Sequence, residues 1–389
     1  MKKTTVIFLS LLLAAVLCAC GGKPAESEEA SLPETTAEAA SSDAEPAAET
    51  AGSTEEAAHT VKVSGTDLLP YLFGYLSYEK DSAGYVLPYR FTAAQRVKLL
   101  SDSKSFVANS CSGIRLDIVG NFKNITVKYR LAPAVELQPQ SFDVCENGKL
   151  TESVRGKDYK KYEDGLLTYQ MTEPGRFTIW FPSYSVMGIA EIEADGPFEP
   201  APQGAKVLVH GDSVTQGAFT ENVSESFINT VARTLNWDIL NQACSGYTFK
   251  RYPRGTFEYD PEYILVDYGY NDFSQGDDVQ AECAKFLQEL KDQYPQAKVI
   301  VISPAVKRFV KGEKEVTMMA RLNSAGVSYW SCCEAMEQQA AALGYPFLKE
   351  YSLKRDPGLF QSDGIHPNTE GNALLGQDIA EQLKALIGP

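Results

Sequence analysis

The sequence predicts two consecutive structured parts: an antiparallel, jelly-roll-like β-sandwich, then a three-layer α/β/α domain around a mostly parallel sheet. Three observations lead there. Between Val61 and Gly196 apolar and polar residues alternate with the period of a half-buried strand. Beyond the stretch Gly196-Pro197-Phe198-Glu199-Pro200-Ala201-Pro202 the pattern changes to continuous apolar runs separated by segments of helical period. With 389 residues, 44% hydrophobic and 11% aromatic, the chain holds apolar material for two ordinary cores.

In chain order, residues 1–20 come first. Lys2 and Lys3 precede an apolar run from Val6 to Val16, too short for an ordinary membrane span, which ends in Leu17-Cys18-Ala19-Cys20-Gly21. This is the pattern of an export signal. Its end resembles the lipobox of bacterial lipoproteins, in which cleavage precedes a cysteine that carries the lipids. The resemblance puts lipidation on Cys20 and implies a protein anchored to the membrane at the cell surface. An ordinary secretory signal cleaved after a small residue is the alternative.

Residues 21–60 are rich in Glu, Ala, Ser, Thr and Pro and have almost no large apolar side chain. Such a segment cannot bury enough surface to offset its ordering entropy, so it reads as a disordered acidic tether. Ten acidic residues against one lysine lie here, so most of the net charge of −15 belongs to the tether. A flexible chain of this length spans roughly 35 Å. No basic stripe appears anywhere, which disfavours a nucleic-acid partner.

Residues 61–197 form the predicted sandwich. Ile114–Ile118, Ile125–Tyr129 and Phe177–Phe181 read as strands, separated by turn signals such as Glu146-Asn147-Gly148-Lys149 and Glu173-Pro174-Gly175. The prolines of 197–202 resist a regular element and mark the boundary. Cys111 and Cys145 leave a disulfide open in this part, although the eight cysteines contain no CxxC pair and no even framework. Three histidines in the whole chain, none at ligand spacing from a cysteine, argue against zinc.

Residues 198–389 form the α/β domain. Lys206–His210, Tyr263–Val266 and Val299–Ile302 are apolar runs of the kind covered on both faces, with a further strand centred on Ile239 and Leu240. Val279, Cys283, Phe286, Leu287 and Leu290 recur at helical spacing, as do Leu375, Ile379, Leu383 and Leu386. Right-handed crossovers then give three layers, with ligands bound at the carboxyl ends of the strands.

Four short blocks fall at those ends. Gly211-Asp212-Ser213 follows the first strand, and a hydroxyl there projects from the catalytic edge, with N–H groups and a helix dipole behind it. Alone it reads as a turn or helix cap. Asp363-Gly364-Ile365-His366 precedes the last helix, close enough in sequence for the carboxylate to orient the ring. A serine needs a base and an imidazole needs an acid, and the other histidines, His59 in the tether and His210 in a strand end, compete poorly with His366. Asn271, after the buried strand 263–268, offers an amide to an oxyanion. Gly246, after Asn241-Gln242-Ala243-Cys244-Ser245, lets a backbone N–H approach one.

Taken together and in this order, the four blocks resemble the SGNH (GDSL-type) hydrolases over roughly residues 204–389. The resemblance implies a flavodoxin-like fold with Ser213 as nucleophile, His366 as base and Asp363 as its support. It implies an oxyanion hole from Ser213, Gly246 and Asn271, and no metal or organic cofactor. Tyr247 and Phe249 follow Gly246 where many relatives carry small polar residues, which bears on substrate preference. The absence of a Gly-x-Ser-x-Gly elbow separates the chain from the α/β-hydrolases. An exported sandwich-plus-SGNH chain also looks like bacterial carbohydrate esterases, which implies an acetylated polysaccharide or oligosaccharide as substrate. Tyr247, Tyr268, Tyr270 and Phe273 then become candidates to stack on sugar rings, with pocket wall or core as the plain alternative. A lipase, lysophospholipase or thioesterase, a peptidoglycan deacetylase, and a non-catalytic glycan-binding lipoprotein are the other readings.

Overall fold

The computed structural model describes residues 60–102, 104–132, 141–156, 161–255, 257–304, 308–311, 314–317, 321–349 and 357–388. The export signal, Cys20 and residues 21–59 of the expected tether lie outside the described residues. Glu55–Pro389 forms one compact unit.

Its N-terminal part is two antiparallel sheets. One runs in the order Ser77–Lys80, Val86–Tyr89, Met187–Ala194, Asn124–Leu131, Glu163–Gln170, with Val61–Ser64 also paired to Met187–Ala194. The other runs Phe198–Pro200, Arg115–Gly120, Gly175–Trp180, Ser141–Glu146, Lys149–Arg155, with Leu72–Phe73 added on Arg115–Gly120. Inward residues of both, such as Val127 and Ile192 against Leu116, Phe142 and Ile179, share one core, and the rings of Tyr129 and Phe142 meet edge-on at 4.9 Å. The Asn147-Gly148 turn joins Ser141–Glu146 to Lys149–Arg155 with positive φ at both residues, as this hairpin class demands.

Two features depart from the sequence reading. Phe198–Pro200 is a strand in spite of Pro200, because it pairs on one side only and an edge tolerates a missing donor. A helix, Ala93–Ser101, interrupts the strands, with a capping box in which Thr92 and Gln95 each bond the other's backbone N–H, and a short helix Ser105–Ala108 follows. Cys111 and Cys145 are buried and unpaired, so no disulfide joins them.

The C-terminal part is a five-stranded parallel sheet in the order Asp238–Asn241, Lys206–Gly211, Tyr263–Asp267, Lys298–Ile302, Phe347–Leu348. In chain order that is 2-1-3-4-5, the flavodoxin-like arrangement whose crevice lies where the first and third strands diverge. Alternate residues of each strand face opposite layers. Leu208, Ile264 and Val301 meet helices Val279–Gln293 and Tyr329–Ala342, while Val209, Leu265 and Ile300 meet Phe227–Leu235 and Thr369–Ile387. Leu375, Ile379 and Leu383 are buried as their spacing predicts; Leu386, a turn further on, is exposed. A two-stranded hairpin, Arg308–Lys311 with Lys314–Thr317, follows the fourth strand.

The two parts are not separately packed. Phe91, Leu99 and Val107 belong to one helical layer's core, and Cys145 and Trp180 to the other's. The backbones also touch: a Cβ on Gly74, at φ +75°, would lie 2.5 Å from the carbonyl oxygen of Gly113 and 2.9 Å from that of Ile239.

Candidate active site

Ser213 opens a four-residue helix, Ser213–Gln216, directly after the first parallel strand and Asp212. Its Oγ lies 2.8 Å from His366 Nε2, and His366 Nδ1 lies 2.7 Å from Asp363 Oδ2. The other carboxylate oxygen, Oδ1, accepts from the N–H groups of Ile365 at 2.7 Å and His366 at 3.0 Å. These bonds fix the roles of the ring nitrogens: with Asp363 ionised, Nδ1 carries the proton and Nε2 accepts from the Ser213 hydroxyl. Burial pushes the Asp363 carboxyl up, but the hydrogen bonds from the His366 ring and the two backbone N–H groups outweigh it and hold the pKa down to about 2. The site lies at the surface, with the His366 side chain 16% and that of Asp363 37% exposed. Phe219 meets the imidazole edge-on at 5.0 Å, so the ring is held on its face as well as at both nitrogens.

The expected oxyanion donors lie around the same point with unequal freedom. Among the described residues, the N–H groups of Ser213 and Gly246 have no acceptor. A helix of one turn brings little dipole, so the electrostatic help expected behind Ser213 reduces to its own N–H. Gly246 has φ +78°, a conformation costly for any other residue. Asn271, in the first turn of helix Tyr270–Gln275, already donates both amide hydrogens, to Asp212 Oδ2 at 3.1 Å and to the Tyr247 carbonyl at 3.0 Å. It ties the first, second and third blocks together and must share a hydrogen to serve an oxyanion.

The aromatic residues expected to stack on sugars have little exposed surface. Tyr247, Tyr268, Tyr270 and Phe273 are all buried in the core beneath the carboxyl edge. Phe273 and Tyr270 pack edge-on against Tyr329, and Tyr268 against Phe249 and Phe286. Their apolar faces are spent on the core. His210 is likewise enclosed by Tyr252 and Phe286, and burial pulls its pKa down to about 4, so it stays neutral.

What the sequence reading missed is how far the N-terminal part builds the second block. Arg90 is wholly buried and has no carboxylate partner. Its guanidinium donates from Nη1 to the carbonyls of Asn241 at 2.6 Å and Ala243 at 2.9 Å. Nε donates to the Ser110 carbonyl, and Nη2 to the Val107 carbonyl and Ser110 Oγ, which uses all five hydrogens. Burial pulls its pKa down to about 10, which still leaves it charged at neutral pH. Gln95 donates to Gln242 Oε1 at 3.3 Å, and Lys104 Nζ donates to the Ser245 carbonyl at 2.9 Å. Tyr184 shares a 2.5 Å bond with Ser245 Oγ. From the other side, Gln216 Oε1 accepts from both the N–H and the hydroxyl of Ser245. The loop that presents Gly246 is thus gripped between the nucleophile's helix and the sandwich part. Only the capping box at Thr92 and Gln95 signalled in sequence that a helix stood there to do it.

Among the described residues no group of three His, Cys, Asp or Glu side chains is arranged to hold a metal ion, and no helix is long and apolar enough to cross a membrane.

A flavodoxin-like parallel sheet with these four blocks along its carboxyl edge is the arrangement that the resemblance to SGNH hydrolases implies. Residues 209–374 match the GDSL-like lipase/acylhydrolase family. Among solved structures the chain is similar to a salicylyl-acyltransferase from a tetracycline biosynthetic pathway, at 18% identity and a TM-score of 0.68, covering 84% of this chain and 97% of that one. It is also similar to a family two carbohydrate esterase from Cellvibrio japonicus, at 18% identity and TM-score 0.55, covering 84% of this chain and 98% of that one. A third is an acetyl xylan esterase from the rumen bacterium Butyrivibrio proteoclasticus, at 12% identity and TM-score 0.54, covering 84% of this chain and 99% of that one. At these identities the likeness is one of fold, and it spans both parts of the molecule. No curated protein matches the chain.

Proposed function

We propose that the protein is a serine esterase that removes small acyl groups, acetyl foremost, from carbohydrate. The observation that carries this is the unbroken series Ser213 Oγ, His366 Nε2, His366 Nδ1, Asp363 Oδ2, with bonds of 2.8 and 2.7 Å. In the first step Ser213 Oγ bonds to the acyl carbon while its proton passes to His366 Nε2. The resulting oxyanion sits between the N–H groups of Ser213 and Gly246, with a shared hydrogen from Asn271. Collapse breaks the bond to the sugar oxygen, which takes the proton from His366. Water then repeats the sequence on the acyl-enzyme, regenerating Ser213 and releasing the acid. Asp363 remains ionised throughout and stabilises the imidazolium.

The carbohydrate bearer is supported by the family two carbohydrate esterase and the acetyl xylan esterase whose folds this chain shares over both its parts. The surface position of the triad suits an acyl group carried on a bulky polymer. Cys20 and the acidic tether would hold the enzyme at the outer face of a membrane, within reach of such a polymer. The test is hydrolysis of aryl acetate and of longer aryl esters, with acetate release from acetylated xylan, mannan and peptidoglycan, by wild type and Ser213→Ala. Acetate release lost in the variant supports the reading. Preference for acyl chains of eight carbons or more would favour a lipid substrate, and no hydrolysis of any ester would defeat the esterase reading.

A further inference from the structure

A second polar site lies away from the triad, on the seam between the sandwich part and helix Phe227–Leu235. It is a cavity of about 360 Å³ lined by Arg115, Asp117, Arg176, Trp180 and Arg233 among others. Asp117 is the one carboxylate in its lining, so three guanidinium groups face a single negative charge.

That charge is already fully used. Asp117 is wholly buried and accepts from Arg115 Nε at 3.2 Å, from Arg176 Nε at 2.7 Å and from Arg176 Nη2. It also accepts from Thr178 Oγ1 at 2.9 Å and Gln203 Nε2 at 3.1 Å. Arg115 is 2% exposed, and its Nη2 donates to Gln203 Oε1 and to the Trp237 carbonyl. Its Nη1 has no hydrogen-bond partner among the described residues. A buried cationic donor without an acceptor is costly, and excess guanidinium charge in a sheltered cleft is the arrangement that binds oxyanions. The Arg115 guanidinium lies over the rings of Trp180 at 5.0 Å and Phe73 at 5.4 Å, so its charge is held fixed beneath the cavity. Arg176 bonds Asn236 through one hydrogen of Nη1, leaving its second.

We propose that this cavity is a binding site for a small oxyanion, a carboxylate or phosphate, carried on a body of about monosaccharide size. The anion takes the remaining Nη1 hydrogen of Arg176, whose side chain is 30% exposed, and the charge of Arg233, with the buried Arg115 cation behind them, and its bearer fills the rest of the cavity. Because Arg115 and Arg176 belong to the sandwich part and Arg233 to the α/β domain, the ligand bridges the two. The inference does not depend on the esterase reading, since binding is measured without turnover.

The test is calorimetric titration of the whole protein, at constant ionic strength, with galacturonate, inorganic phosphate and neutral glucose. Arg233→Gln removes a cation outside the buried Asp117 network, so the fold is retained. Galacturonate or phosphate is expected to bind the wild type, with affinity at least tenfold weaker in Arg233→Gln. Binding by galacturonate alone assigns a carboxylate ligand, and binding by phosphate alone a phosphate. Failure of both anions to bind, equal binding by glucose, or unchanged affinity in Arg233→Gln would overturn the proposal.

Discussion

Replacing Asp363 by Asn probes the hydrogen-bond order at the site more sharply than deleting the side chain. Oδ1 of Asp363 accepts two backbone N–H groups, from Ile365 and His366, so the amide oxygen of Asn must take that position. The amide nitrogen then falls where Oδ2 meets His366 Nδ1 at 2.7 Å, and it can only donate. The ring must offer a lone pair at Nδ1 and carry its proton on Nε2, facing Ser213 Oγ, where it can no longer act as a base. A wrong tautomer of this kind costs about 10⁴ in kcat, or ~5.5 kcal/mol of barrier. Asp363→Ala removes the carboxylate without imposing the tautomer, and at a position 37% exposed water can accept from Nδ1, so its loss should be the smaller of the two. Steady-state hydrolysis of an aryl acetate, with circular dichroism to verify the fold, measures both. A folded Asp363→Asn protein that kept more than a tenth of wild-type kcat would refute the reasoning.

Four further outcomes follow from Arg90, Asp272 and Asp363. Arg90→Ala strips the donor from four buried carbonyls and a hydroxyl, and should destabilise the protein by about 3 kcal/mol or more in urea unfolding. Arg90→Lys keeps the charge but not the planar fork, so it should fold with kcat/KM at least tenfold down; wild-type values for both stability and kcat/KM in the lysine variant would show that Arg90 does not position the second block. Asp272 is buried with Oδ2 unpartnered, and burial raises its pKa from 3.8 to about 7. The folded state therefore holds a proton that the unfolded state releases, and stability falls as pH rises from about 4 through 7. Asp272→Asn, which can still accept from the Phe249 N–H, should raise the melting temperature at pH 8 more than at pH 4; an equal effect at both would contradict this. Asp363 has the opposite sign: its folded pKa of about 2 lies below the ordinary 3.8, so its stabilisation is present above pH 4 and is lost toward pH 2. The melting temperature of Asp363→Asn should accordingly be less sensitive to acid than that of the wild type.

The fold was legible where local pattern and final environment agree. The apolar runs at 206, 263 and 298 are covered on both faces, and the spacing of Val279, Cys283, Phe286, Leu287 and Leu290 matches one buried helix stripe. Ser213, Asp363 and His366 could be singled out because a hydroxyl, an acid and an imidazole in short loops have few structural uses in common. The remainder depends on contacts no local pattern encodes. Arg90 and Lys104 reach the second block from 151 and 141 residues away, and nothing near Arg90 in sequence distinguishes it from a surface arginine. Tyr247, Tyr270 and Phe273 lie beside the site in sequence, yet the layers that close over the sheet turn them into core. Asn271 occupies the expected place, but the partners of its amide were set by Asp212 and the Tyr247 carbonyl, which only the fold brings together.

The central claim is that Ser213 carries the acyl group during turnover. Its most direct test is rapid mixing with an aryl acetate, acid quenching and mass analysis of the peptide containing Ser213. A burst of aryl alcohol equal to the enzyme, with one acetyl group on Ser213 and none in Ser213→Ala, is the expected result. Turnover in Ser213→Ala near the wild-type rate, or acetylation at another residue with Ser213 unmodified, would contradict it.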